Sequence, residues 1–279
     1  MLNQVWKKCH NSICSLTFLN ERGVAIDTLS GFKVNKSLIT SEHVFYINKA
    51  RKVQISFVAE DANTIVASLQ IPYHEFTHDL RVGYFINKGD CAVFNLDFPE
   101  FSNIPGLQLS ERRHFPIGTQ VILMAYSTGC TNLALRTGII SSFFNNSEGV
   151  RFLQFDGLSC YGNSGGPIID PESMQVIGIV SRRNTPAAKA YQQLMDIITS
   201  NLEELGKVKN VVKLGDVDPV QVLIANQNQL KHLVNNIYHY SATGATQAVL
   251  LDQIITYFND NALSESSEQE LSKADVFFS

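Results

Sequence analysis

The segment Gly162-Asn163-Ser164-Gly165-Gly166-Pro167, set between two strand-like runs, contains the residue types most suited to chemistry. A serine hydroxyl is a weak nucleophile. It needs a base to accept its proton and backbone N–H groups to hold the oxyanion formed on attack. Glycines around the serine permit that geometry, because Gly162 lacks a Cβ and can turn its N–H, with that of Ser164, toward one point. A bare G-x-S-x-G reads equally well as a tight turn. Six residues ending in Gly-Gly-Pro are more restrictive.

The base must come from elsewhere in the chain. Among the seven histidines, His43 follows a strand-like run in Leu38-Ile39-Thr40-Ser41-Glu42-His43-Val44. His10, His74, His78, His114, His232 and His239 lack that setting and read as surface or hydrogen-bonded polar residues. The hexapeptide resembles the nucleophile loop of trypsin-like serine proteases, in the form found in the Deg (high-temperature-requirement) branch and related bacterial domains. In that family a histidine sits in a Thr-x-x-His-Val context, which residues 40–44 match, and an aspartate opens an alternating strand, as Asp90 does before Cys91-Ala92-Val93-Phe94-Asn95-Leu96. Asp79 and Asp97 precede no such run and read as loop charges.

The order His, Asp, Ser is that of the chymotrypsin barrel and differs from subtilisin and the α/β-hydrolases. Ile117-Gly118-Thr119-Gln120-Val121, Thr137-Gly138-Ile139-Ile140-Ser141 and Val176-Ile177-Gly178-Ile179-Val180-Ser181 resemble successive strands of the second barrel. The resemblance covers residues 12–184 and a final strand and helix near 240–258. It implies a serine endopeptidase working through an acyl-enzyme, with Ser164 as nucleophile, His43 as base, Asp90 orienting the imidazole, and Gly162, Asn163 and Ser164 forming the oxyanion loop.

The resemblance also implies a specificity pocket built from Leu158, six residues before the nucleophile, with Ser181, Arg183 and Gly244. A base of leucine cannot pair with a buried Lys or Arg side chain, so a small or medium apolar residue is expected on the acyl side of the cut bond. Arg183 stands where the family usually keeps a glycine; turned inward, it would instead favour an acidic residue. Asn163 replaces the aspartate that pairs with a freshly cut N-terminus in digestive relatives, and no Ile-Val-Gly-Gly start is present. Other contacts must therefore hold the oxyanion loop, and no PDZ domain is expected to follow.

These residues require a β framework. From Ile13 to about Ser181 the chain reads as short β-branched runs broken by turn residues, which predicts a mostly β fold of two antiparallel six-stranded barrels. Residues 186–205 and 219–233 carry apolar residues at three-and-four spacing and predict two helices. The expected organisation is a catalytic core over 1–185, a helical insertion over 186–233 as a possible partner or regulator site, a final strand and helix over 234–262, and a polar, disordered tail over 263–279.

Composition bounds the remaining possibilities. The chain of 279 residues is 44% hydrophobic, enough for a sizeable core, and its net charge of −4 with no Lys/Arg cluster argues against nucleic acid or an anionic membrane as partner. Protein or peptide substrate is the expected partner. No apolar stretch approaches the roughly 20 residues needed to span a bilayer. The apolar run Ile13–Leu19 is too short for a signal h-region and predicts the first strand. Five scattered cysteines suit reduced thiols in a cytoplasmic setting. Cys9 and Cys14 stand apart from other ligand types, so no metal or cofactor is expected. Two other classes fit the same residues: a catalytically silent peptide-binding module, and an esterase acting on small acyl groups.

Overall fold

The computed structural model describes residues 1–84, 90–183, 188–209, 211, 218–240 and 243–260. Helix α1 (Leu2–Cys9) buries Val5 and Cys9 and leads into β1 (Ile13–Leu19). The apolar run that predicted β1 places Leu16 and Phe18 in the core. β1 pairs antiparallel with β2 (Ala25–Val34) on one side and β4 (Lys52–Val58) on the other, with Leu16 opposite Leu29 and Ile55. β3 (Ser37–Ser41), β5 (Ile65–Pro72), β6 (Arg81–Tyr84) and β7 (Cys91–Asn95) complete a seven-stranded sheet in the order β5-β4-β1-β2-β3-β7-β6.

Among the described residues this sheet runs open from β5 to β6. Its edge strands β5 and β6 are joined by helix α2 (Tyr73–His78), and among the described residues they pair with β4 and β7. α2 packs against the sheet, with Phe76 stacked on Phe94 of β7 at 4.2 Å between ring centroids.

The second layer is a closed six-stranded barrel, β10-β13-β12-β11-β8-β9. Its strands are β8 (Gln120–Ala125), β9 (Ala134–Asn145), β10 (Arg151–Ser159), β11 (Pro167–Ile169), β12 (Val176–Arg183) and β13 (Thr243–Leu250). Leu123, Ile140, Leu153, Phe155, Ile168 and Val180 fill its interior. A further cluster joins Ile13, Phe32, Ile39 and Val93 of the sheet to Ile122, Met124, Tyr126 and Ile179 of the barrel. Apolar burial therefore locks the two layers together where the site residues emerge.

β12 and β13 are hydrogen-bonded neighbours, with Gly178 opposite Leu250 and Arg183 opposite Thr246. The chain between them forms a separate compact unit, Asn184–Thr243. It contains α3 (Ala188–Lys207) and α4 (Pro219–Tyr240). The Tyr191 and Tyr238 rings stack at 3.9 Å, and the Tyr191 hydroxyl donates to Asn235 Oδ1 at 2.7 Å. α4 runs beyond residue 233, where the sequence suggested an end, and Asn235 and Tyr238 in that extension are the residues that meet Tyr191. Residues 252–260 form helix α5. The tail of 263–279 lies outside the described residues.

Because Phe76 is fully buried and joins α2 to the strand that begins after Asp90, Phe76→Ala is expected to cost about 3–5 kcal/mol. A thermal melt would register this as a drop of roughly 2–4 °C per kcal/mol. A melt within a degree of the parent would show that α2 contributes little to the sheet.

Candidate active site

The loop 160–166 is shaped by two left-handed glycines, Gly162 at φ +91° and Gly165 at φ +84°. A Cβ on Gly165 would lie inside van der Waals contact of the Ser30 carbonyl oxygen and Thr40 Oγ1, and 2.9 Å from the Ser41 nitrogen. Only glycine lets the loop approach the backbone of β2 and β3 this closely. The approach is held by Ser30, which is fully buried on β2. The Ser30 hydroxyl donates to the Gly162 carbonyl at 2.7 Å and accepts from the Tyr126 N–H at 2.9 Å. Its backbone N–H donates to the Ser164 carbonyl at 2.9 Å.

Asn163 provides the second anchor. Its side chain is buried, with Nδ2 donating to the Tyr126 carbonyl and Oδ1 accepting from the Cys160 N–H at 2.8 Å. A neutral amide thus ties both strands of the loop without burying a charge, which would need an ionic partner. The Thr128 N–H donates to the Tyr161 carbonyl at 2.7 Å and fixes the peptide before Gly162. The Asn163 N–H is engaged internally, by the Cys160 carbonyl at 3.3 Å. Among the described residues, the N–H groups of Gly162 and Ser164 donate to no protein acceptor. Asn163 anchors the loop through its side chain.

His43 and Asp90 come from adjoining positions on neighbouring strands. Ser41 is the register partner of Cys91, the last pair between β3 and β7. One step beyond, the Glu42 N–H reaches the Asp90 carbonyl at 3.4 Å. His43 lies in the 3₁₀ turn Glu42–Tyr46 and is half-buried. Asp90 is buried and left-handed at φ +48°, a conformation in which a non-glycine residue is strained and which clusters at functional sites. The Ser181 hydroxyl donates to Asp90 Oδ2, while the Ser181 carbonyl accepts from Ser164 Oγ at 3.3 Å. Ser181 therefore links the aspartate to the nucleophile. Among the described residues, no hydrogen bond joins His43 to Ser164 or Asp90. Cys91, beside Asp90, is no competing nucleophile: burial first, and then the charges of Asp90 and Glu42, push its thiol up.

The pocket residues divide. Leu158 is 55% exposed on β10. The adjoining Ser159 is fully buried, and its hydroxyl shares a hydrogen bond with that of Thr246 on β13, also fully buried. Gly244 is exposed at the start of β13, with nothing within 4 Å of a Cβ built on it. Arg183 closes β12, but its side chain lies outside the described residues. Sequence reasoning missed Ser30, Ser159 and Thr246, because an isolated hydroxyl residue in a strand carries no signal of its cross-chain partner.

Ser30→Ala should cost about 1–3 kcal/mol, since it strips a partner from the buried Gly162 carbonyl and the Tyr126 N–H. Gly165→Ala should cost more, because roughly 1–2 kcal/mol for the left-handed backbone adds to a collision with rigid main chain. Chemical denaturation of both variants checks the ranking. A Gly165→Ala protein as stable as the parent would contradict the close approach.

The family profile of the trypsin-like peptidase domain matches residues 29–179, more than half of the chain and inclusive of His43, Asp90 and Ser164. Two curated relatives from Danio rerio, serine proteases HTRA1A and HTRA1B, are 25% and 26% identical over 169 and 167 residues, or 57% of this chain in each case. The chain spans 31% of the length of either relative. Among solved structures, a variant of the HtrA-type protease AlgW with tripeptide superposes with a TM-score of 0.52 at 18% identity, covering 71% of this chain and 63% of that one. A second AlgW structure with tripeptide gives 0.50 at 20% identity, covering 64% and 54%. These likenesses carry the fold alone. By its matching profile, the chain belongs to the trypsin-like peptidase domain family.

Proposed function

We propose that this chain is a serine endopeptidase that hydrolyses peptide bonds of protein substrates through an acyl-enzyme. The observation that carries the reading is the pair of N–H groups at Gly162 and Ser164, in a loop anchored by Ser30 and Asn163 beside the Ser164 hydroxyl. Ser164 attacks the carbonyl carbon and His43 takes its proton. The two N–H groups receive the oxyanion, and His43 then returns the proton to the leaving amine. Asp90, held by Ser181, orients the imidazole and stabilises its charged form once the two meet in a hydrogen bond that the resting structure lacks. Water repeats the cycle on the acyl-enzyme. Membership of a peptidase family and similarity to HtrA-type serine proteases support the same reading.

One observation favours a silent resting state. Ser164 Oγ donates to the Ser181 carbonyl, so rotation of the serine toward His43 must precede attack. Hydrogen bonds of this kind commonly tighten only when substrate is present. An active-site-directed fluorophosphonate separates the two readings: labelling at Ser164 accompanies peptidase activity, and a protein inert to the reagent is a binding module. An esterase would label too, but would turn over small acyl esters and leave peptides uncut.

Residues acting as one unit fail together. Ser164→Ala, His43→Ala and the double variant should each lose a similar factor in kcat, on the order of 10⁴ or more, and Asp90→Asn should also be severe. Additive losses, or a Ser164→Ala protein that still cleaves peptide, would refute the assignment.

For specificity, we propose a small or medium apolar residue on the acyl side of the cut bond, set by Leu158, which is exposed on β10. Peptide libraries read at that position should favour Ala, Val or Leu. Preference for Asp or Glu would assign the pocket to Arg183, and efficient cleavage after Lys or Arg would show that the pocket is drawn wrongly.

A further inference from the structure

The segment His74-Glu75-Phe76-Thr77-His78 lies on α2, apart from the site described above. It buries Phe76 and Thr77 against the sheet and leaves His74 and His78 exposed. One helical turn separates the two histidines, and their rings stand 4.5 Å apart between centroids at an interplanar angle of 27°. Side chains four apart share one face of a helix, so both imidazoles lie side by side on the solvent-exposed face of α2.

We propose that His74 and His78 form a two-imidazole binding site for a divalent transition-metal ion such as Zn²⁺ or Ni²⁺. Neutral imidazole nitrogen is a preferred ligand for these ions. The scaffold is already held in place. Tyr73 Oη donates to the Val44 carbonyl at 2.8 Å, Thr77 Oγ1 donates to the Tyr73 carbonyl at 2.9 Å, and the Asp79 N–H closes the turn on the Glu75 carbonyl at 2.8 Å. Phe76 fixes the buried side against Phe94. Two ligands on one fixed element turn capture by the second imidazole into an intramolecular event, which raises affinity without further contacts.

The residue pattern matches H-E-x-x-H, which on a longer helix holds a hydrolytic zinc with glutamate as base. That chemistry does not follow here. α2 ends at His78, and no group of three candidate ligands occurs among the described residues. The site is one of binding, with water completing the coordination. Its position gives binding a consequence, because the anchors of α2 are Val44, which follows His43, and Phe94, on the strand that follows Asp90. An ion clamped on α2 stabilises the end of the sheet that supplies both residues. The binding claim itself does not depend on the peptidase reading.

The test is isothermal titration of the full chain carrying Ser164→Ala, which avoids self-cleavage, with ZnCl₂ and with NiCl₂. One ion per chain is expected. His74→Ala and His78→Ala should each weaken binding by roughly 10²-fold, the loss of a second tethered ligand, and the double variant should bind little more weakly than either. His232→Ala should bind as the parent does. Zn²⁺ should raise the melting temperature of the parent and leave that of the double variant unchanged. Both histidines are exposed, so the alanine variants retain the fold, as their melts without metal would verify. A parent that binds no ion, a double variant with the parent's affinity, or single variants that lose only about twofold would each overturn the proposal.

Discussion

The close approach of the 162–165 loop to β2 is the contact on which the rest of the site depends. One buried residue, Ser30, reaches three points of that loop and its support: the Gly162 carbonyl, the Ser164 carbonyl and the Tyr126 N–H. These groups are all main-chain, so a small displacement of the sheet against the barrel would leave several buried polar groups unpaired at once. The glycine at 165 follows from the same contact, since any side chain there would push the two layers apart. The apolar cluster that joins Ile39 and Val93 to Ile122 and Met124 supplies the force, and Ser30 sets the register.

The loop 160–166 is anchored by a neutral residue in place of an ion pair. A buried aspartate requires a cation, and the digestive members of the family obtain one by cutting the chain. Asn163 needs no such event. Its amide donates to one backbone group and accepts from another within the same fold, so the loop conformation is set by folding alone. The control that remains lies with Ser164, whose hydroxyl rests on the Ser181 carbonyl. Ser181 thereby has two partners, since its hydroxyl donates to Asp90 while its carbonyl accepts from the Ser164 hydroxyl.

Much of this was legible in the chain itself. The hexapeptide 162–167 is readable because its glycines are required by backbone angles, and backbone demands leave a local mark. His43 and Asp90 were expected from the resemblance of their local contexts to the family's, and each stands beside a strand end, next to β3 and β7. That both strands are paired, with Ser41 opposite Cys91, was decided by the sheet. The strand β1, the order of the barrel strands and the two long helices were likewise carried by periodic burial of apolar side chains, which a single segment displays by itself.

What the tertiary structure alone decided involves partners far apart in sequence. Ser30 with Gly162, Asn163 with Tyr126, and Ser159 with Thr246 are contacts between hydroxyl, amide and carbonyl groups that any exposed loop also contains, so nothing local distinguishes them. The packing of α2 against the first sheet was equally hidden, because the contact of Phe76 with Phe94 is not written in the pattern of either segment. The same holds for His74 and His78. Each alone is an ordinary surface histidine; the turn of helix that places their rings side by side, and the buried Phe76 that fixes it, give the pair its meaning.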